Sequence, residues 1–435
     1  MHDAFFATSE ELAALPPSRW PEELISHRHL IYSSPAALAF NSPGAEGFGV
    51  KRAALTIPNS AMLLFSPACC GRNTGAIGGS ESKYASRMYY LLLDDTDIVT
   101  GRYLKSIVES CCTIMERAPQ KPSVLVLCST CVDALLGTDM ERVTRMASKE
   151  CGIPVVSATM YALTREGALP PMVLVRRTIY SLLKKRERKS NCLNFLGYFT
   201  HIEDSSEIYP LLRDAGIERI QEIGRMQTME EYERLSEANC NLVFSRESRM
   251  AVRFFEETLS IPSIELFRSY QKEKIANQYM LLSNLLGVSL SIEKYQEKAE
   301  EKCLSFREIR DHVFAIGETA NADPFDLALA LLRLGGRVSE IFAEAGSQNV
   351  SQIRAIAALS PQTRIYSNLS PTMLLYDPRR ADPKVTCAIG YDACFYHPEC
   401  AGIPWVDEAQ PFGFEGLSHL IDAIQKAGGE HGPSL

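Results

Sequence analysis

The chain has no uninterrupted apolar run long enough to cross a bilayer. Its opening residues, MHDAFFATSEELAALPPSRW, lack the basic patch followed by an apolar stretch that marks a secretory leader. Basic charge is not in excess either. Against 53 Asp and Glu stand 45 Lys and Arg, a net charge of −8, which favours solubility and gives no support for binding nucleic acid or an anionic membrane. The run KKRERK, Lys184 to Lys189, reads as a solvated helix end or linker. Catalytic signatures are also missing: there is no His-Glu-x-x-His and no Gly-x-Ser-x-Gly, and the eight histidines are scattered. The glycine-rich loop GRNTGAIGGSES, which begins at Gly71, lacks the Gly-Lys-Ser/Thr ending of a phosphate-binding loop and the spacing of a dinucleotide fingerprint, so no nucleotide is assigned. These absences lead us to expect a cytoplasmic protein with neither a nucleic-acid nor a membrane partner.

What the chain has in abundance is cysteine. Thirteen in a cytoplasmic chain of 435 residues do not form a disulfide framework, because a reducing compartment keeps thiols free. Burial or metal binding must account for them. None precedes Cys69, and several are clustered: Cys69 with Cys70, Cys111 with Cys112, Cys128 with Cys131, and Cys387, Cys394 and Cys400.

At roughly 150 residues per domain the length allows about three domains. Three recurrences agree: CGIPVV at 151, LSIPSI at 259 and AGIPWV at 401. In each, a Gly or Ser and an Ile-Pro close a helical stretch, and the residues beyond Pro read as the next strand. Upstream of them lie the apolar strands SVLVLC (123–128), NLVFS (241–245) and VTCAIG (385–390). Two further units share the rhythm, LNFLGYF before EIYPLLRDAGIERI, and HVFAIG before DPFDLALALLRLGGRV. Near-continuous apolar strands alternating with helices predict an α/β fold, with parallel sheets covered on both faces. We expect three Rossmann-like domains, spanning 1–189, 190–305 and 306–435. In open α/β sheets ligands sit outside the carboxyl ends of the strands, so chemistry is expected in the turns CSTC, SRES and GYDACFYHPEC.

Cys128 and Cys131 form Cys-x-x-Cys after a strand and before a helix, where free N–H groups and the helix dipole stabilise thiolates. That spacing suits an iron–sulfur cluster or zinc, and equally a redox dithiol. Cys69 and Cys70 occupy the same kind of position after SAMLLF. Adjacent side chains diverge on an extended chain, so one of the two is the expected ligand. Cys111 and Cys112 share the apolar face of GRYLKSIVESCCTIMERA and read as core. Cys151, Cys192, Cys240 and Cys303 have no partner spacing and read the same way. Cys394, His397 and Cys400 recur at three-residue intervals, which fits soft-metal ligation or one face of a buried helix.

As an ordered set these segments resemble the nitrogenase component 1 family. SPACCGRNTG, YYLLLDDTDIVTGRYLKSIVE, VLVLCSTCVDALLGTDMERV and CGIPVV follow the family's order of a Gly-Pro-x-Gly-Cys turn, a DIV-x-Gly segment and a Cys-x6-Gly-x-Asp turn. NFLGYF, ANCNLVFSRESRMAVRFFEETLSIP and GIPWVDEAQPFGFEGL extend the likeness over most of the chain. The resemblance implies three Rossmann-like domains in a homodimer or an α2β2 complex with a paralogous subunit. It implies an iron–sulfur cluster, [4Fe-4S] or P-cluster-like, served by a separate ATP-dependent iron protein as electron donor. Cys70 and Cys131 fall on the family's cluster cysteines, and Cys69 and Cys128 are additional candidate ligands. The likeness further places a substrate or a second metallocofactor in a cleft between domains, near Ser245, Arg246, Cys394 and His397. The departures are specific. Ser245 stands where the catalytic dinitrogenase subunit has a cofactor-ligating cysteine, and Phe412 where it has the histidine. The expected activity is therefore that of a nitrogenase-like reductase component, with a metallocofactor-assembly scaffold or a tetrapyrrole reductase as alternatives.

Overall fold

In a computed structural model of the chain, residues 3–25, 35–36, 39–40, 49–67, 85–130, 135–160, 169–305, 307–406 and 408–429 are described. A short strand, β1 (Ala7–Thr8), precedes two four-stranded sheets. The first comprises β2 (Ser60–Pro67), β3 (Met88–Leu93), β4 (Val124–Ser129) and β5 (Val155–Thr159), in the order β3-β2-β4-β5. The second repeats that order as β7-β6-β8-β9, from β6 (Lys189–Leu196), β7 (Arg219–Glu222), β8 (Ala238–Val243) and β9 (Ser263–Glu265). Every neighbouring pair in both is parallel. The third sheet holds β10 (Val313–Gly317), β11 (Arg337–Phe342), β12 (Arg364–Tyr366), β13 (Cys387–Ile389) and β14 (Ala401–Ile403), in the order β12-β11-β10-β13-β14. These five are parallel, and β1 caps the edge antiparallel to β12, with Ala7 opposite Ile365. An α/β fold with parallel sheets flanked by helices follows, as the alternation of apolar strands and helices predicts.

The chain divides into two compact units. One comprises Ser42–His201 and Glu218–Phe267, the other Met1–Asn41, Ile202–Ile217 and Arg268–Leu435. The first holds both four-stranded sheets over a shared core, in which Met62, Leu64, Val124, Val126 and Cys128 from one sheet join Cys192, Leu196 and Val243 from the other. The opposite face of the first sheet packs Leu63, Phe65, Leu125 and Leu127 against the helices Tyr103–Arg117 and Met140–Cys151. Period-two alternation along β2 and β4 sorts these side chains between the faces. The second unit holds the third sheet together with β1, although β1 lies within the range 1–189 expected for the first domain.

The Ile-Pro signal works twice and shifts once. Gly152 (φ +68) and Ser260 (φ +60) take the left-handed conformation that ends a helix, and β5 and β9 begin just after Pro154 and Pro262. At the third recurrence the strand is Ala401–Ile403, before Pro404 rather than after it. There the chain leaves the sheet because Trp405 turns to φ +50. Its indole N–H donates to Tyr270 Oη at 2.9 Å, and its carbonyl accepts from Asn321 N at 2.6 Å.

The segment Ile202–Ile217 is held in the second unit by a buried carboxylate. Glu207 accepts from Phe414 N at 2.6 Å, Glu415 N at 3.2 Å and Tyr279 Oη at 2.8 Å, filling the amino end of the helix Gly413–Gly429. Further along that helix, His419 Nδ1 stands 2.7 Å from Glu203 Oε2. That hydrogen bond, followed by the carboxylate's charge, raises the His419 pKa above the ordinary histidine value. A raised folded-state pKa contributes stability that is complete below about pH 6.5 and lost as pH climbs through the higher folded value. The urea midpoint should fall accordingly between pH 5.5 and 8.5, and His419→Gln should flatten that dependence; an unchanged slope in the variant would refute the assignment.

Candidate functional site

Two sheets share the strand order 2-1-3-4 and the third has 3-2-1-4-5, so in each the direction of winding reverses once. The reversals fall between β2 and β4, β6 and β8, and β10 and β13. At such a point the connections leave to opposite faces and open a crevice outside the carboxyl ends of the strands. Of the described site residues, Cys128 lies on β4, Ser245 and Arg246 follow β8, and Cys394 and His397 lie on and just after the helix that follows β13.

The first switch point is the cysteine region. Phe65 pairs with Ser129 and Leu64 with Cys128 in parallel register, so β2, ending at Pro67, and β4, ending at Ser129, are neighbouring strands about 4.8 Å apart. Pro67 immediately precedes the segment 68–84 and Thr130 the segment 131–134; Cys69, Cys70 and Cys131 lie outside the described residues. Cys128 is described. It is fully buried, with its side chain in the core shared by the two sheets of its unit. Two hydroxyls next to the cysteine segments, Ser66 Oγ and Thr130 Oγ1, are buried and have no hydrogen-bond partner among the described residues. The helix Gly49–Ala54 adds the buried Lys51, whose pKa is lowered by burial and moved back upward by the nearby Cys128 thiol. Two buried hydroxyls flanking the cysteine segments in sequence, and a buried lysine near Cys128, are donors that would suit an anionic, sulfur-ligated group.

At the second switch point Gly197 (φ +129) follows β6, and a Cβ on it would stand 2.7 Å from the Ser245 backbone nitrogen. Only glycine allows the two turns to come this close. Ser245 and Arg246 are half-buried, and the Arg246 guanidinium lies 5.3 Å from the centre of the Phe267 ring. Beside them Arg176, nearly buried, donates to Glu247 at 2.8 Å and stacks 4.2 Å over Phe199.

The third switch point is organised by Asp392, which is fully buried. Its carboxylate accepts from Glu318 N (2.9 Å), Thr319 N (3.3 Å), Thr319 Oγ1 (2.7 Å) and Asn368 Nδ2 (2.6 Å), tying together the turns after β10, β12 and β13. Burial raises its pKa, and those hydrogen bonds work against the rise. Asn368 Oδ1 is buried without a partner. Cys394 lies on the helix Tyr391–Tyr396; burial first, then the Cys400 thiol, pushes its pKa up to about 12. His397, just past that helix, is buried, and its Nε2 lies 2.7 Å from Glu340 Oε2 and 2.8 Å from Tyr376 Oη. The Tyr376 hydroxyl also donates to Glu340 Oε2 at 2.6 Å. With Nε2 engaged by protein partners, any ligation by His397 falls to Nδ1. Phe412 is buried and offers no donor atom from its side chain.

The structure thus places Cys394 and His397 in one unit and Cys128, Ser245 and Arg246 in the other. Among the described residues no group of three or more His, Cys, Asp or Glu is arranged to hold a metal ion, and no helix is long and apolar enough to cross a membrane. Sequence reasoning missed Asp392, Glu340 and Tyr376. Acidic residues inside apolar runs were the available signal, since a charge there is retained only with partners.

Residues 46–428 match the family described as Nitrogenase component 1 type Oxidoreductase. Among curated relatives, the Nitrogenase iron-molybdenum cofactor biosynthesis protein NifE of Klebsiella pneumoniae is 26% identical over 234 residues, which is 50% of each chain. NifE of Rhizobium meliloti (strain 1021) is 26% identical over 178 residues, covering 39% of this chain and 36% of the relative. The chain therefore spans half or less of the length of these relatives. Two solved structures, Nitrogenase Cp1 at pH 6.5 and at pH 5, share the fold. Their TM-scores are 0.59 and 0.60 at 14% and 15% identity, covering 95% and 97% of this chain and 91% and 94% of theirs. With the family matched across most of its length, the chain belongs to the nitrogenase component 1 type oxidoreductases.

Proposed function

We propose that the chain is the cluster-carrying, electron-accepting component of a two-component nitrogenase-like reductase. The observation that carries the reading is the β2/β4 switch point, where two adjacent parallel strands end side by side and are followed in sequence by the segments that bear Cys69, Cys70 and Cys131, themselves outside the described residues. Cys70 and Cys131 would hold an iron–sulfur cluster there, with Cys69 or Cys128 as further candidates. The cluster would supply one-electron storage. The chain's own contribution would be to offer thiolates, to keep water out with the cores on both faces of the sheet, and to supply the buried Ser66 and Thr130 hydroxyls as donors. A separate ATP-dependent iron protein as donor fits the absence of a phosphate-binding loop in this sequence. The assembly would be a homodimer or an α2β2 complex. For the substrate or second metallocofactor we propose contacts from Ser245 and Arg246 and from Cys394 and His397. Neither Ser245 nor Phe412 offers the thiolate or imidazole of the matching dinitrogenase positions, so a cofactor bound in that manner is not part of the proposal.

A second reading, a scaffold on which a metallocofactor is built, is favoured by one observation: the curated relatives are named as cofactor biosynthesis proteins. Anaerobic purification with iron and sulfide analysis and EPR tests what the two share, and a fully active, iron-free protein would sink both. Turnover of a substrate only with an iron protein and ATP supports the reductase. Transfer of bound iron–sulfur cargo to an acceptor protein without turnover supports the scaffold.

A further inference from the structure

We propose that Cys112 and Cys151 form a reversible dithiol–disulfide couple, a modification site oxidised by small-molecule disulfides. Cys112 lies on the helix Tyr103–Arg117, and Cys151 is the last residue of the helix Met140–Cys151. Their sulfurs are 4.0 Å apart. Both side chains are half-buried, which leaves them within reach of a small oxidant, whereas Cys111 beside them is fully buried among Ile107, Ile114 and the first sheet. A disulfide needs its sulfurs about 2.05 Å apart. Closing the remaining gap calls for rotation of the two side chains toward each other. The left-handed Gly152 frees the chain immediately after Cys151, so the last helical turn can adjust as the sulfurs close.

Burial first, and the neighbouring Cys112 second, push the Cys151 pKa up to about 12, which disfavours Cys151 as the first nucleophile. In the first step Cys112 Sγ, as thiolate, attacks one sulfur of a disulfide RSSR, forming a mixed disulfide and expelling RS⁻. Cys151 loses its proton to solvent, attacks Cys112 Sγ and releases the second RS⁻. Two thiol protons end on two RSH molecules, and the pair is oxidised by two electrons as RSSR is reduced. The 39-residue separation encloses β4 and the segment 131–134, so the bond would bridge the two helices on one face of the cysteine-bearing sheet. Whether the chain carries a cluster does not enter this inference, which stands on the Cys112–Cys151 geometry alone.

The test treats the anaerobically purified full chain with oxidised glutathione, blocks remaining thiols with iodoacetamide and maps peptides by tandem mass spectrometry, which separates Cys111 from Cys112. The expected product is a cross-linked Cys112–Cys151 peptide, lighter than the sum of its parts by two hydrogens and abolished by dithiothreitol. Cys112→Ser should remove the cross-link and leave Cys151 alkylated; Cys151→Ser should trap Cys112 as its glutathione adduct. Recovery of both cysteines fully alkylated, or a bridge from Cys112 to any residue other than Cys151, overturns the proposal. Because the decisive measurement is made on the unaltered chain, it holds even if a variant folds poorly.

Discussion

Replacing Cys131 by alanine is expected to leave a folded chain that has lost nearly all of its iron. The fold should survive because β4 ends at Ser129, two residues before Cys131, and the described cores on both faces of the first sheet are built from its strands and helices. The metal should go because a cluster held by few thiolates loses both a bond and charge neutralisation when one is removed. Cys70→Ala should behave alike, since Cys70 follows the neighbouring strand β2 by three residues in sequence. Cys128→Ala separates two roles. Its side chain sits in the core, so substitution should cost about 1–2 kcal/mol through the cavity left behind. Retained iron with that loss would make Cys128 a packing residue, and lost iron would make it a ligand. Iron per chain, measured with the circular dichroism melt on the same sample, decides each case. Wild-type iron in both Cys70→Ala and Cys131→Ala would refute the placement of the cluster at this switch point.

The second large effect is expected at Asp392. Its carboxylate receives four hydrogen bonds in the absence of solvent, and it joins the turns after three strands of the third sheet. Asp392→Ala strands two backbone N–H groups, a hydroxyl and an amide in the interior. Losing a hydrogen-bonded buried charge of this kind costs about 3–5 kcal/mol. Gly317→Ala should be comparably damaging, because the added carbon would stand 1.8 Å from Asp392 Oδ1 and the side chain has nowhere to retreat. Urea unfolding of both variants checks this. A melt unchanged by Asp392→Ala would mean that the carboxylate is kept for a ligand rather than for the fold, a reading to which the unpartnered Asn368 Oδ1 next to it would then lend weight.

The strands flanking the reversals, the helices between them and the α/β class were readable in advance because their signals are local. Val124–Ser129 is a nearly continuous apolar run, the end of β8 falls within the run NLVFS (241–245), and Gly152 and Pro154 punctuate the chain between helix and strand. The cysteine segments could be located after β2 and β4 for the same reason, since a strand is recognised from its own residues, although Cys69, Cys70 and Cys131 themselves lie outside the described residues. Which turns share a crevice was not readable. It depends on strand order, and nothing in the local pattern states that β4 pairs with β2 rather than with β3. His397 illustrates the limit. Its three-residue spacing from Cys394 and Cys400 suggested one face of a helix, yet the helix ends at Tyr396, and the imidazole meets Glu340, 57 residues earlier in the chain.

The sequence by itself determined the fold class, the positions of the strand-end turns and the family likeness, because apolar periodicity, helix stop signals and motif order are written in consecutive residues. Only the tertiary structure decided that Cys112 meets Cys151, that Cys128 faces a core, that Asp392 gathers three turns and that β1 joins the last sheet. Each of these depends on side chains far apart in the chain converging, and convergence is set by how sheets and helices pack rather than by any residue's neighbours in sequence.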